Sequence, residues 1–138
     1  MEFLEKINFI VIHHSGSLNS YDAIKDFHVN TRGWEDIGYH WLIDKNGKLL
    51  KGRSEEFIGA HCLGHNRNSI AVCMIGDFEF IKPTEKQMKT LIKFLKEKLE
   101  ENNLYLKNIL GHREVGEREK ICPGKNINLN ELREKLKQ

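Results

Sequence analysis

The run Gly111-His112-Arg113-Glu114-Val115-Gly116-Glu117-Arg118-Glu119-Lys120-Ile121-Cys122-Pro123 gathers an imidazole, an ammonium and a thiol into one short stretch, and His13 stands far upstream as a further candidate. Imidazole and thiolate are the ligands that a borderline-soft Zn²⁺ accepts, and three protein ligands leave a fourth position for water. Such a site is catalytic rather than structural and suits metal-assisted hydrolysis.

Lys120 and Cys122 are two residues apart, so in extended backbone they project to the same side and can share a pocket. Pro123 fixes its own φ and biases Cys122 toward extended backbone, which keeps the thiol aimed. The chain has seven histidines, and an isolated histidine is usually a hydrogen-bonded structural or surface residue. His13 and His112 rise above the rest because each ends a predicted strand, where α/β folds gather functional groups. Strand alternation sends His13 and His14 to opposite faces, and likewise Tyr39 and His40, so one member of each pair is structural. Spacing alone leaves open which one. Taken singly, Cys122 reads as a packed thiol and Lys120 as one more surface lysine; the weight lies in the pattern.

The elements that must position these groups are legible. Asn8 to His14 reads as a central strand with Phe9, Val11 and His13 on one face and Ile10, Ile12 and His14 on the other. Ser20 caps a helix that turns Ile24, Phe27 and His28 to one side, with His28 at its edge, and Gly33 ends it. From Tyr39 to Lys51 the sequence predicts a β-hairpin, with Asn46-Gly47 supplying the two positive-φ residues of a type I′ turn. Gly59 to Asn68 is a loop, and Ser69 to Ile75 a buried strand. Thr84 and Gln87 form a capping-box pattern ahead of Met88, Leu91, Ile92, Leu95 and Leu99 at helical spacing. Leu104 to Leu110 reads as a strand, and a last helix begins near Asn128 with Leu129, Leu132 and Leu136 inward. Strands alternating with helices, plus a hairpin, predict an α/β fold with a central mixed sheet flanked by helices.

A length of 138 residues suits one domain, 1–138, able to bury a core without staples. The 22 basic and 20 acidic residues leave a formal charge of +2, and their mixing along the helical segments argues against a dedicated nucleic-acid surface. Three cysteines, Cys62, Cys73 and Cys122, make a disulfide framework unexpected, although a Cys62 to Cys73 bridge is possible on paper. No apolar run approaches a membrane span. The N-terminus lacks a basic start, apolar stretch and cleavage site, so cytoplasmic synthesis without a signal peptide is expected. A monomer is expected.

Ordered blocks then carry a resemblance over nearly the full length. They are Ile-Val-Ile-His-His-Ser at 10–15, Ile-Gly-Tyr-His-Trp-Leu-Ile-Asp-Lys-Asn-Gly at 37–47, Gly-Ala-His-Cys-Leu-Gly-His-Asn at 59–66, Asn-Ser-Ile-Ala-Val-Cys-Met-Ile-Gly at 68–76, Gly-His-Arg-Glu at 111–114 and Lys-Ile-Cys-Pro at 120–123. With these the chain resembles the type-2 N-acetylmuramoyl-L-alanine amidase family, which includes short phage endolysins and the peptidoglycan recognition proteins. The departures are Ala71 where relatives often have glycine, and the variable stretch Glu119-Lys120-Ile121.

The resemblance implies Zn²⁺ held by His13, His112 and Cys122, with Tyr39 and Lys120 as catalytic helpers and His61 at the substrate groove. It implies hydrolysis of the amide between the lactyl group of N-acetylmuramic acid and L-alanine of the stem peptide, on peptidoglycan or muropeptides. Lys120 would stabilise the tetrahedral oxyanion. No His-Glu-x-x-His helix occurs, so no glutamate base is expected, and nothing beyond proximity to His112 recommends Glu114. The setting implied is a phage or prophage endolysin acting on the wall, with a cytoplasmic recycling enzyme as the other fit. The alternatives are a non-catalytic peptidoglycan-binding module, or an amidase that also regulates a phage polymerase.

Overall fold

A computed structural model describes residues 1–115 and 121–138. The apolar run after Asn8 forms β1 (Phe9–His14), and the run after Asn68 forms β4 (Ser69–Met74), all six of whose residues are buried. Unbroken apolar stretches of this kind belong to parallel strands covered on both faces. The hairpin strands are β2 (Trp41–Ile43) and β3 (Leu49–Lys51), and β5 (Ile109–Gly111) closes the sheet. The five strands run in the order β3-β2-β4-β1-β5. Among these five strands the hairpin pair is antiparallel, while β2 with β4, β4 with β1 and β1 with β5 are parallel. The mixed α/β sheet expected from the sequence is therefore present.

One face carries the main core. Ile10, Ile12, Val72 and Met74 pack there against Leu91, Phe94 and Leu95 of α2 (Glu85–Glu101) and Leu129, Leu132 and Leu136 of α4 (Leu129–Leu136). Thr84 and Gln87 complete the reciprocal cap of α2, and the Gln87 amide, itself buried, also donates to the Ile75 carbonyl at 3.0 Å. Asn128 caps α4 by accepting from the Glu131 N–H at 2.9 Å. The other face is thinner: Leu42 and Cys73 meet Ile24 of α1 (Tyr21–Asp26) and Ile37. Val11 and His13 take this side by alternation from Ile10 and Ile12.

Three local expectations are corrected. The hairpin turn is not type I′, because Gly47 has φ +80° while Asn46 is not among the positive-φ residues. Gly47 N–H donates to Asp44 O, and the Asp44 carboxylate accepts from the N–H groups of Asn46 and Lys48 at 2.9 Å each. That is a type I turn closed by a left-handed glycine, selected by the aspartate rather than by Asn-Gly.

The expected strand at 104–110 shrinks to Ile109–Gly111, because Leu106–Asn108 form a 3₁₀ turn in which Asn108 accepts from the Tyr105 N–H at 2.9 Å. The third correction concerns the end of α1, which widens into a π-turn over Phe27–Thr31, with Arg32 N–H donating to Phe27 O. Phe27 stays 46% exposed under the Arg32 guanidinium, whereas His28, expected at the helix edge, is buried against Trp34. Gly33, at φ +75°, ends the segment as expected.

Candidate metal centre

Parallel register brings the two histidines together. Ile12 of β1 pairs with Gly111 of β5, so His13 and His112, each one residue further along the chain, are brought side by side, and their rings lie 4.5 Å apart between centroids. Gly111 packs closely at this crossing: a Cβ there would sit 2.4 Å from Leu129 Cδ1, so a larger residue would require the Leu129 side chain to shift. His112 opens the short helix α3 (His112–Val115), whose Glu114 accepts from the Gly111 N–H at 2.8 Å and is ion-paired to Arg133 of α4. Glu114 is thus a strut of the β5–α3 corner.

Cys122 comes from the loop ahead of α4. Its sulfur accepts from the His14 N–H at 3.3 Å and stands 3.7 Å from His13 Nδ1. One ligand atom from each of His13, His112 and Cys122 lies within 4.8 Å of the others. Zinc–sulfur and zinc–nitrogen bonds at a tetrahedral angle would separate S and N by about 3.6 Å, so the donor set fits that ion in type and spacing. No disulfide competes for the thiol among the described residues.

Burial holds His13 well below the ordinary imidazole range, helped by repulsion from His61, His112 and His14. His61 is lowered in the same way, burial coming first and the neighbouring His40 ring next. Neutral imidazoles are the form that binds a metal.

Tyr39 approaches His13 at 5.2 Å between ring centroids. Burial, then the neighbouring thiols of Cys73 and Cys122, push its hydroxyl well above the usual phenol range. A phenol held in this way favours its protonated form. Its neighbour His40 is structural, with Nδ1 accepting from the Ala71 N–H at 3.0 Å and Nε2 lying 2.8 Å from Phe57 O. Both pairs are thereby resolved: Tyr39, which precedes β2, and His13 face the site, while the His14 ring turns to accept from the Phe78 N–H.

His61 lines the same groove, but both ring nitrogens are occupied: Nδ1 is 2.9 Å from His13 Nε2, and Nε2 is 3.2 Å from Ser69 Oγ. Lys120 lies outside the described residues. The groove encloses about 800 Å³ and also takes in His28, Trp34, Phe80 and Ile121. A larger hollow of about 970 Å³ beside it shares Trp34, Ala60 and Asn66 but contains none of the three candidate ligands.

Three side chains that could hold a metal thus meet beside the ends of the central strands and open into a groove. The profile of the N-acetylmuramoyl-L-alanine amidase family matches residues 4–125. The chain belongs to this amidase family. It is 31% identical over 137 residues to peptidoglycan-recognition protein SC2 of Drosophila melanogaster, with 92% of this chain and 73% of that protein covered. Endolysin of Escherichia phage T7 is 35% identical over 79 residues, covering 54% of this chain and 52% of that one. The solved structure of N-acetylmuramoyl-L-alanine amidase LysC from Clostridium intestinale URNW superposes with a TM-score of 0.87 at 32% identity, over 96% of this chain and 86% of that one.

Within this amidase fold, sequence reasoning missed Arg113, His28 and Ser69. Arg113 binds the Gly124 and Ile127 carbonyls at 2.9 Å each. His28 Nδ1 accepts from the Gly38 N–H at 3.0 Å, one residue before Tyr39. Arg113 was visible beside His112 as part of a block, but nothing in its spacing announced a clamp. No helix among the described residues is long and apolar enough to cross a membrane.

Proposed function

We propose that residues 1–138 form one catalytic domain, a zinc-dependent amidase that hydrolyses the bond between the lactyl group of N-acetylmuramic acid and the first L-alanine of the stem peptide. The observation that carries this reading is the meeting of His13, His112 and Cys122 at the floor of an open groove. A zinc ion held by these three would supply Lewis acidity and an activated water at neutral pH.

The chain's own groups divide the remaining work. Tyr39, kept protonated, offers a hydrogen bond to the substrate carbonyl beside His13. Lys120, two residues before Cys122, carries the cation that offsets charge developing on the tetrahedral oxygen. His61 offers only its ring surface to substrate, because its nitrogens are engaged. Similarity to a protein named endolysin supports action on intact wall over recycling of soluble fragments.

The second reading, a module that binds peptidoglycan without cutting it, is favoured by similarity to a peptidoglycan-recognition protein. Incubating the zinc-loaded protein with purified wall and with soluble muropeptides separates these cases. New L-alanine amino termini released from wall support the endolysin-type amidase. Release from muropeptides alone points to recycling, and retention on wall with no new termini overturns catalysis.

A further inference from the structure

Ser69 Oγ lies 2.7 Å from the carbonyl oxygen of His65 and 3.2 Å from His61 Nε2. A carbonyl only accepts, so the single hydroxyl hydrogen of Ser69 goes to His65, and the hydroxyl presents a lone pair to His61. His61 Nε2 must then carry the hydrogen. A neutral imidazole has one N–H and one lone pair, so His61 Nδ1 is an acceptor toward His13 Nε2, 2.9 Å away. His13 Nε2 is consequently the protonated nitrogen, and its lone pair is left on Nδ1, the atom 3.7 Å from Cys122 Sγ. The reverse assignment sets two lone pairs against each other at Ser69 and His65 and aims an N–H of His13 at the cysteine.

We infer that His61, backed by Ser69, is a positioning residue that fixes the tautomer of His13 so that Nδ1 is the metal-facing nitrogen. The placement of His61 is rigid: its own N–H and that of Cys62 both donate to Asn66 Oδ1, at 2.9 and 2.8 Å. Its ring meets that of His13 edge to face at 88° and 5.0 Å, and Ser69 is wholly buried. An acceptor behind a ligand imidazole orients the ring and raises its basicity, and removing such a partner commonly weakens metal binding about 10- to 100-fold. What Nδ1 binds rests on the zinc reading above; the tautomer is a property of the metal-free chain.

The test uses the whole protein with ¹⁵N-labelled histidine, first metal-free and then titrated with Zn²⁺ against a chelator of known affinity. Metal-free protein is expected to show His13 with a protonated Nε2 and a pyridine-like Nδ1. His61→Leu is expected to mix the two tautomers and to weaken zinc binding about 10- to 100-fold. His61→Asn, whose amide oxygen replaces the accepting nitrogen, restores both, and Ser69→Ala shifts the His13 signals in the direction of His61→Leu. A His13 protonated on Nδ1 in the unmodified chain overturns the inference, as does His61→Leu with unchanged tautomer and affinity. The expected tautomer, lost in His61→Leu, in a protein that binds no zinc would sustain the inference and refute the zinc reading.

Discussion

The main-chain N–H of Arg113 donates to the carbonyl of Cys122 at 2.8 Å, so the residue following one candidate ligand holds the residue that supplies another. The guanidinium extends the hold to Gly124 and Ile127. Arg113→Ala is expected to lower zinc affinity roughly 10- to 100-fold without removing a ligand. Arg113→Lys recovers little, because an ammonium cannot span two carbonyls as a planar fork does. Competition with a chelator measures both, and unchanged affinity in the alanine variant would show that the Cys122 loop holds itself.

Cys122→Ser replaces the thiolate by a hydroxyl that is a poor zinc ligand at neutral pH. The variant is expected to lose most bound zinc and most amidase activity while its far-ultraviolet circular dichroism stays native, since Cys122 is not part of the main hydrophobic cluster. Full activity on purified wall in this variant would refute the ligand assignment.

Acidification should destabilise the metal-free protein. His28 is buried with Nδ1 accepting the Gly38 N–H, and burial lowers its pKa from 6.5 to about 4. His40 is lowered by burial too, and it accepts from Ala71. The unfolded chain keeps histidine near 6.5, so between about pH 6.5 and 4 it binds more protons than the folded one. Stability is then full above this window and falls as the pH drops through it. Urea midpoints taken from pH 7 down to pH 5 should decline, and a flat or rising series would contradict the buried neutral imidazoles.

Lys120→Ala is expected to keep its zinc and to slow turnover by about 10²- to 10³-fold, the usual effect of removing a group that stabilises an oxyanion. Metal analysis alongside initial rates on wall separates the roles. Loss of zinc in Lys120→Ala would show that the residue supports the site and not the reaction.

Much of this arrangement was legible in the residues. Alternation along Asn8 to His14 placed His13 and His14 on opposite faces, and the capping pairs at Thr84 and Asn128 marked the two long helices. What could not be read was register. Nothing local states that Ile12 lies beside Gly111, yet that pairing is what makes His13 and His112 neighbours; the resemblance implied only that the two histidines share a site.

The hairpin turn misled because Asp44, one residue before the turn's centre, accepts two N–H groups that outweigh the Asn-Gly signal. His61, which the resemblance places at a substrate groove, lines the hollow that holds the three candidate ligands. Its partner Ser69 is carried on β4, beyond the reach of any spacing rule.

The central claim is that a metal held by His13, His112 and Cys122 drives cleavage of the lactyl–alanine amide. The most direct measurement follows the appearance of L-alanine amino termini from purified wall, before exhaustive chelation, after it, and after stoichiometric zinc is returned. The account predicts that release stops on chelation and resumes with zinc in the unmodified protein, but not in Cys122→Ser. Undiminished release from the chelated protein would contradict it.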